Sequence, residues 1–113
     1  MRQVEFQIAS HGIRLRALMA DRWWSRARGM LGRPALPMGQ GLLLTPCSSV
    51  HGIGMVRPLD LVFLDKSGAI IKVGSLPPLG VAWHRSAQQV LEMRAGEIRR
   101  LGLQCGQQLE LLP

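Results

Sequence analysis

Thr45-Pro-Cys-Ser-Ser-Val-His-Gly-Ile-Gly-Met-Val-Arg-Pro-Leu-Asp-Leu-Val-Phe-Leu-Asp65 is the stretch on which the fold of this 113-residue chain turns. Its second half contains Leu59 to Leu64, a nearly unbroken apolar run whose hydrophobic residues fall on both parities. A strand of that kind is covered on both faces, which places it centrally in a sheet. The first half carries a thiol, an imidazole and a thioether (Cys47, His51 and Met55) at four-residue intervals, beside Gly52 and Gly54. Reactive groups on an irregular segment anchored to a buried strand are a common way for a small domain to present a site.

Outward from this run the pattern is mostly that of strands. Asp65-Lys-Ser-Gly68 is a turn, and Ala69 to Val73 returns as the partner strand. Gly41 to Thr45 reads as a short buried strand, and Gln89 to Met93 as another. At the N-terminus, Val4 to Ile8 and Ile13 to Leu18 alternate apolar and polar residues on either side of His11-Gly12, the mark of a hairpin with Arg14 and Arg16 outward. The period then changes to that of a helix, capped by Asp21, with Trp23, Ala27, Met30 and Leu31 on its apolar stripe and Gly32 at its end. A Pro/Gly-rich loop follows over Arg33 to Gln40. A second irregular stretch, Pro77-Pro78 to Gly80, leads into Trp83-His84-Arg85. Gly96 opens a second short helix, Glu97 to Leu101, and Gln107 to Leu112 reads as the last strand. The expected fold is a β-rich α+β domain spanning residues 1–113. Its antiparallel sheet of six or seven short strands curls into a partial barrel, with two short helices.

Composition narrows the function classes. No apolar stretch reaches the roughly 20 residues a membrane helix needs, and no secretory signal is evident at the start, so the expected compartment is the cytoplasm. In that setting Cys47 and Cys105 read as free thiols. The net charge of +7 is concentrated in the first 57 residues, where eight arginines face only Glu5 and Asp21. Twelve of the fourteen basic residues are arginines, which suits an anionic partner.

Three blocks in this order resemble the bacterial and archaeal family called domain of unknown function 192 (DUF192). They are Arg26-Ala-Arg-Gly-Met-Leu-Gly-Arg33; Val50-His-Gly-Ile-Gly-Met55 with Pro58-Leu-Asp-Leu-Val-Phe-Leu-Asp65 and Gly68; and Val90-Leu-Glu-Met-Arg-Ala-Gly96 with Leu101-Gly-Leu103 and Gly106. The resemblance implies a single β-rich domain, often exported, and brings no catalytic residues with it. Gly54 stands where the family often has an aromatic residue, and Gln107 where it usually has Asp.

Several chemistries are open to these residues. Cys47, His51 and Met55, with His84, form a soft set that suits copper or, without Met55, zinc. On a straight strand, however, residues four apart are separated by about 13 Å. Cys47 with His51 or His84 as base is the minimum for thiol catalysis, though no oxyanion-hole motif accompanies it. Asp60 and Asp65 are five apart, on opposite faces of a strand, so they read as structural: Asp60 binding amides of the preceding turn, Asp65 capping a turn. Weak nucleic-acid binding through Arg14, Arg16, Arg22, Arg26 and Arg28, with Trp24 stacking, is a further class.

The preferred reading is a non-catalytic binding or accessory module that needs no cofactor or metal. Its expected site is a groove formed by His51, Met55, Arg57, Trp83 and His84, where the two irregular segments meet. Apolar walls with a few cationic groups suit a small anionic ligand or a peptide terminus. The alternative is a metal-dependent or cysteine enzyme centred on Cys47 and His51.

Overall fold

A computed structural model of the chain describes residues 2–8, 11–22, 36–52 and 57–113. The described strands are β1 (Arg2–Ile8), β2 (Ile13–Ala20), β3 (Gln40–Leu44), β4 (Ser49–His51), β5 (Leu59–Leu64), β6 (Ile70–Leu76), β7 (Val81–Trp83), β8 (Gln89–Arg94) and β9 (Glu110–Leu111). One short helix, α1 (Glu97–Leu101), lies among the described residues. The helix expected after Asp21 falls almost wholly outside them.

Seven strands form one curled sheet in the order β6-β5-β8-β3-β2-β1-β9, and β4 pairs with β7 in a separate two-stranded ribbon. The apolar run Leu59 to Leu64 is an inner strand, flanked by β6 and β8. Two expectations are corrected. The sheet is not wholly antiparallel, because β2 and β3 run parallel. The chain from Ala20 to Gln40 is long enough to carry it back to the same end of the sheet, which a hairpin does not do. The last strand is also shorter than Gln107 to Leu112, because that segment divides its bonds between two partners. Ile70 N–H donates to the Gln107 carbonyl and Leu109 N–H to the Gly68 carbonyl, while Leu112 N–H donates to the Glu5 carbonyl. The C-terminal segment therefore ties the two ends of the half-barrel together at one rim.

The alternating strands supply one buried face and the doubly apolar strands supply two. Phe6, Ile8, Leu15, Ala17, Met19, Leu43, Val62, Leu91 and Met93 gather inside the curl. Leu42, Leu44, Leu61, Phe63, Leu76 and Val90 form a second cluster on the outer face of the central strands, against which Val50 of β4 and Ala82 of β7 pack. The ribbon is thus held over the sheet by its own apolar face.

Carboxylates fix the connections. Asp65 accepts from the Ser67 N–H (2.9 Å), the Ser67 hydroxyl (2.6 Å) and the Ala69 N–H (3.0 Å), the turn-capping role expected of it. The Ser67 hydroxyl bond is the largest cause holding this carboxyl below its ordinary range. Asp60 does bind backbone amides, but those of Gly96 (3.0 Å) and Ile98 (2.9 Å) rather than of the preceding turn. It is the missing N-cap of α1, whose own cap residue, Gly96, has no side chain to offer.

Glu97, 2% exposed, accepts from the Arg100 guanidinium (Nη2 to Oε1, 3.0 Å) and from the Gly39 N–H, so it joins α1 to the entry of β3. The hydrogen bond from Arg100 depresses its pKa, burial opposes this, and the Gly39 amide reinforces it. A carboxyl depressed on folding stabilises the native state above its unfolded pKa and loses that contribution as pH falls through the folded value. Arg100→Met removes the largest depressing cause and leaves burial in place. It should destabilise the fold at pH 7, by leaving a buried carboxylate without its guanidinium partner, and do so less at pH 4, where the carboxyl can protonate. Urea titrations at both pH values check this; an equal loss at each would contradict it.

Candidate functional site

The two segments read as irregular each contain a strand, and they pair with each other. The register sets Ser49 opposite Trp83, Val50 opposite Ala82 and His51 opposite Val81. Opposed residues in an antiparallel pair share a face, so the ribbon is two-sided. Val50 and Ala82 face the sheet. Ser49, His51, Val81 and Trp83 face solvent, with Val81 70% and Trp83 61% exposed. His51 and Trp83 are diagonal neighbours on that outer face, a separation of about 7–8 Å.

Gly52 explains why the ribbon closes where it does. A Cβ at this position would lie 2.5 Å from the Pro77 carbonyl oxygen and 3.0 Å from the Leu79 nitrogen. The glycine thus permits close backbone packing against the turn between β6 and β7. Gly52 N–H donates to the Gly80 carbonyl (2.8 Å), Leu79 N–H donates to the Gly52 carbonyl (3.0 Å), and Gly80 N–H closes the turn onto Pro77 (2.9 Å). Within that turn Leu79 adopts φ 64°, a conformation glycine favours, and is 76% exposed. A large apolar residue held in a strained backbone and pointed at water is a feature to associate with function.

The expected site residues have different placements. His51 and Trp83 share the outer face. His84 is half-buried one residue further on; its N–H donates to the Ser48 carbonyl and its Nδ1 accepts from the Ser86 N–H (3.1 Å). Arg57 is exposed at the approach to β5. Met55 lies outside the described residues. Cys47 packs against the second core cluster, and its thiol donates to the Ser49 carbonyl (3.1 Å), whereas His51 is exposed on the far face of the same segment. Neither cysteine forms a disulfide. Among the described residues no three His, Cys, Asp or Glu side chains gather as a metal site.

Lys72 and Val81 were not singled out in the sequence. Lys72 stands on β6 with its ammonium 5.2 Å from the centre of the Phe63 ring, and it donates to the Trp83 carbonyl at 3.0 Å. Val81-Ala-Trp83 is apolar throughout and only three residues long, so no alternation marks it as a strand. Glu92 was also passed over. It is 3% exposed in the middle of the sheet's outer face, between Leu42 and Leu61. Its signal was a carboxylate inside a run apolar on both parities, Val90 to Met93. An open depression of about 620 Å³ lies elsewhere, lined by Arg2, Glu5, Arg16 and Leu111 among others.

A curled β half-barrel carrying a two-stranded ribbon on its outer face, with an exposed imidazole and indole on that ribbon, defines a small β-rich module. The chain belongs to the DUF192 family, described as an uncharacterized ACR, whose sequence profile matches residues 5–111. Among solved structures it is similar to a "putative transcription regulator" from Sinorhizobium meliloti 1021, with TM-score 0.83 and 25% identity, covering 96% of this chain and 92% of the other. It is also similar to a protein of unknown function from Novosphingobium aromaticivorans DSM 12444, with TM-score 0.81 and 20% identity, covering 95% of this chain and 83% of that one. No curated protein matches the sequence. No helix among the described residues is long and apolar enough to cross a membrane.

Proposed function

We propose that the protein is a non-catalytic binding module whose binding surface is the outer face of the β4–β7 ribbon. Its ligand is a peptide or another small group that carries negative charge. One observation carries the reading: the pairing of β4 with β7 sets His51 beside the exposed Val81 and Trp83. Apolar surface of this kind, rimmed by polar groups, is characteristic of interaction sites. The sign of the ligand follows from the neighbouring sequence. Residues 45–59 and 66–91 carry Arg57, Lys66, Lys72 and Arg85 and no Asp or Glu.

A cysteine enzyme is the weaker reading, because Cys47 faces the core and His51 faces solvent. Nucleic-acid binding draws support from the description of the Sinorhizobium protein and from the positive charge. Yet of the arginines on β2, Arg14 is engaged by Glu5 at 3.4 Å. The location of binding separates the two readings, since phosphate tracking would map to the arginines of β2 and weaken steeply with ionic strength, whereas the ribbon reading maps to β4 and β7.

The test is to titrate the protein with a panel of small carboxylates and blocked acidic peptides while following backbone amide signals by NMR. Shifts should centre on residues 49–51 and 79–85. Leu79→Gly should leave stability within about 1 kcal/mol of the parent, because it relieves the positive φ and removes an already exposed side chain. It should nevertheless weaken binding, as should Trp83→Ala. Binding that maps instead to the Arg2–Leu111 depression would refute this assignment of the site.

A further inference from the structure

Among the described residues, the ribbon has an edge that no other strand pairs with. In an antiparallel pair, residues alternate between exchanging bonds with the partner and directing N–H and C=O away from it. His84 N–H donates to the Ser48 carbonyl (3.0 Å) and Gly52 N–H to the Gly80 carbonyl (2.8 Å), which fixes 48/84 and 52/80 as bonded pairs. By alternation, 50/82 is bonded as well. Val81 and Trp83 therefore direct their backbone groups outward, on the side of β7 away from β4. Among the described residues β7 pairs with no other strand. Among the described residues, only the Trp83 carbonyl of these groups has a partner outside the ribbon, the Lys72 ammonium.

Resting on the reading of the ribbon as the binding surface, we infer that β7 accepts an extended acidic peptide segment as a third strand. The Val81 N–H and C=O and the Trp83 N–H are the free ladder positions. Side chains of the added strand opposite Val81 and Trp83 would lie on the same outer face as those two residues and His51. Charge selects the occupant. Lys72 holds the Trp83 carbonyl with one of its three N–H donors, which leaves its ammonium at the end of the open edge for a carboxylate. Arg85 follows two residues beyond Trp83, and no acidic residue occurs between Lys66 and Leu91. Natural edge strands are kept short and guarded by lysine to prevent unwanted pairing. A carboxylate-bearing segment neutralises that guard, whereas a neutral or basic one does not.

Three blocked six-residue peptides test this: one alternating valine with glutamate, one with lysine in place of glutamate, and the glutamate peptide N-methylated at alternate residues. The glutamate peptide should bind and slow hydrogen exchange at the Val81 and Trp83 amides by tenfold or more, on the order expected for new ladder bonds. N-methylation in the bonding register should weaken binding about tenfold. Val81→Pro, which removes an outward donor without touching the β4 pairing, should do the same. Lys72→Met should weaken it about fivefold and flatten its salt dependence. The lysine peptide should not bind.

Binding that shifts the His51 and Trp83 signals but leaves the Val81 and Trp83 amides unprotected, or that is indifferent to N-methylation, overturns strand addition and leaves the ribbon as a binding face. Absence of any ribbon response, to these peptides or to small carboxylates, removes both readings. Concentration-dependent protection of the same amides without peptide, with dimers in sedimentation, would assign the edge to a second copy and overturn the peptide.

Discussion

Gly52→Ala should cost about 2 kcal/mol, and the loss should be concentrated in the ribbon rather than spread through the sheet. No positive φ is involved at this residue, so the backbone conformation itself admits alanine. The obstacle is space. The new Cβ would meet backbone atoms on three residues of the facing turn, Pro77, Leu79 and Gly80, and backbone cannot rotate aside as a side-chain tip can. Relief requires moving the turn, which breaks the Gly52–Gly80 and Leu79–Gly52 hydrogen bonds together. Native-state hydrogen exchange should show the Val50, Gly52, Ala82 and His84 amides losing protection while β3, β5 and β8 retain theirs. Ligand binding at the ribbon should fall in parallel. Uniform loss across the sheet would mean that the ribbon and half-barrel unfold as one unit, and would contradict the picture of a separable platform.

How much of this was legible in the sequence depends on how local each signal is. Leu59 to Leu64 announced a doubly covered inner strand because burial on both faces leaves no polar parity. The Asp65–Gly68 turn was readable because an Asx cap and a glycine act within four residues. The pairing of β4 with β7 was not readable. Each is three residues long, too short for alternation to stand out, and each is flanked by the glycines and prolines that signal loops. What makes them strands is long-range: Val50 and Ala82 each pack onto the outer face of the sheet. The glycines that suggested a loop have a packing reason, with Gly52 admitting the turn that ends β6.

The same distinction separates the two aspartates. Asp65 caps its own turn, a role its neighbours in sequence disclose. Asp60 caps a helix that begins more than thirty residues later, so the correct partner type was inferred and the wrong partner chosen. Of the five expected site residues, the structure sets His51 and Trp83 on one surface. Lys72, which holds the edge beneath Trp83, gave no sign in the sequence, because its role depends on a strand crossing overhead.

Gly68→Ala should be among the most damaging single-methyl additions, at about 3 kcal/mol, or a fall in Tm of roughly 10 °C. Two costs coincide there. At φ 91° an L side chain is strained by about 1–2 kcal/mol, and the added Cβ would collide with the Leu109 carbonyl. That carbonyl belongs to the segment that joins the ends of the half-barrel, and Leu109 N–H donates to the Gly68 carbonyl at 2.9 Å. Displacing it loosens the Ile70–Gln107 and Gly106–Ile70 bonds beside it. Gly96 provides the control, since its φ of 96° imposes a similar backbone strain with nothing within 4 Å of a Cβ. Gly96→Ala should therefore cost only about 1–2 kcal/mol. The difference between the two variants, read from urea denaturation at constant m-value, measures the closure contact by itself. If Gly96→Ala and Gly68→Ala proved equally costly, backbone strain would account for both, and the rim contact would contribute nothing to holding the sheet closed.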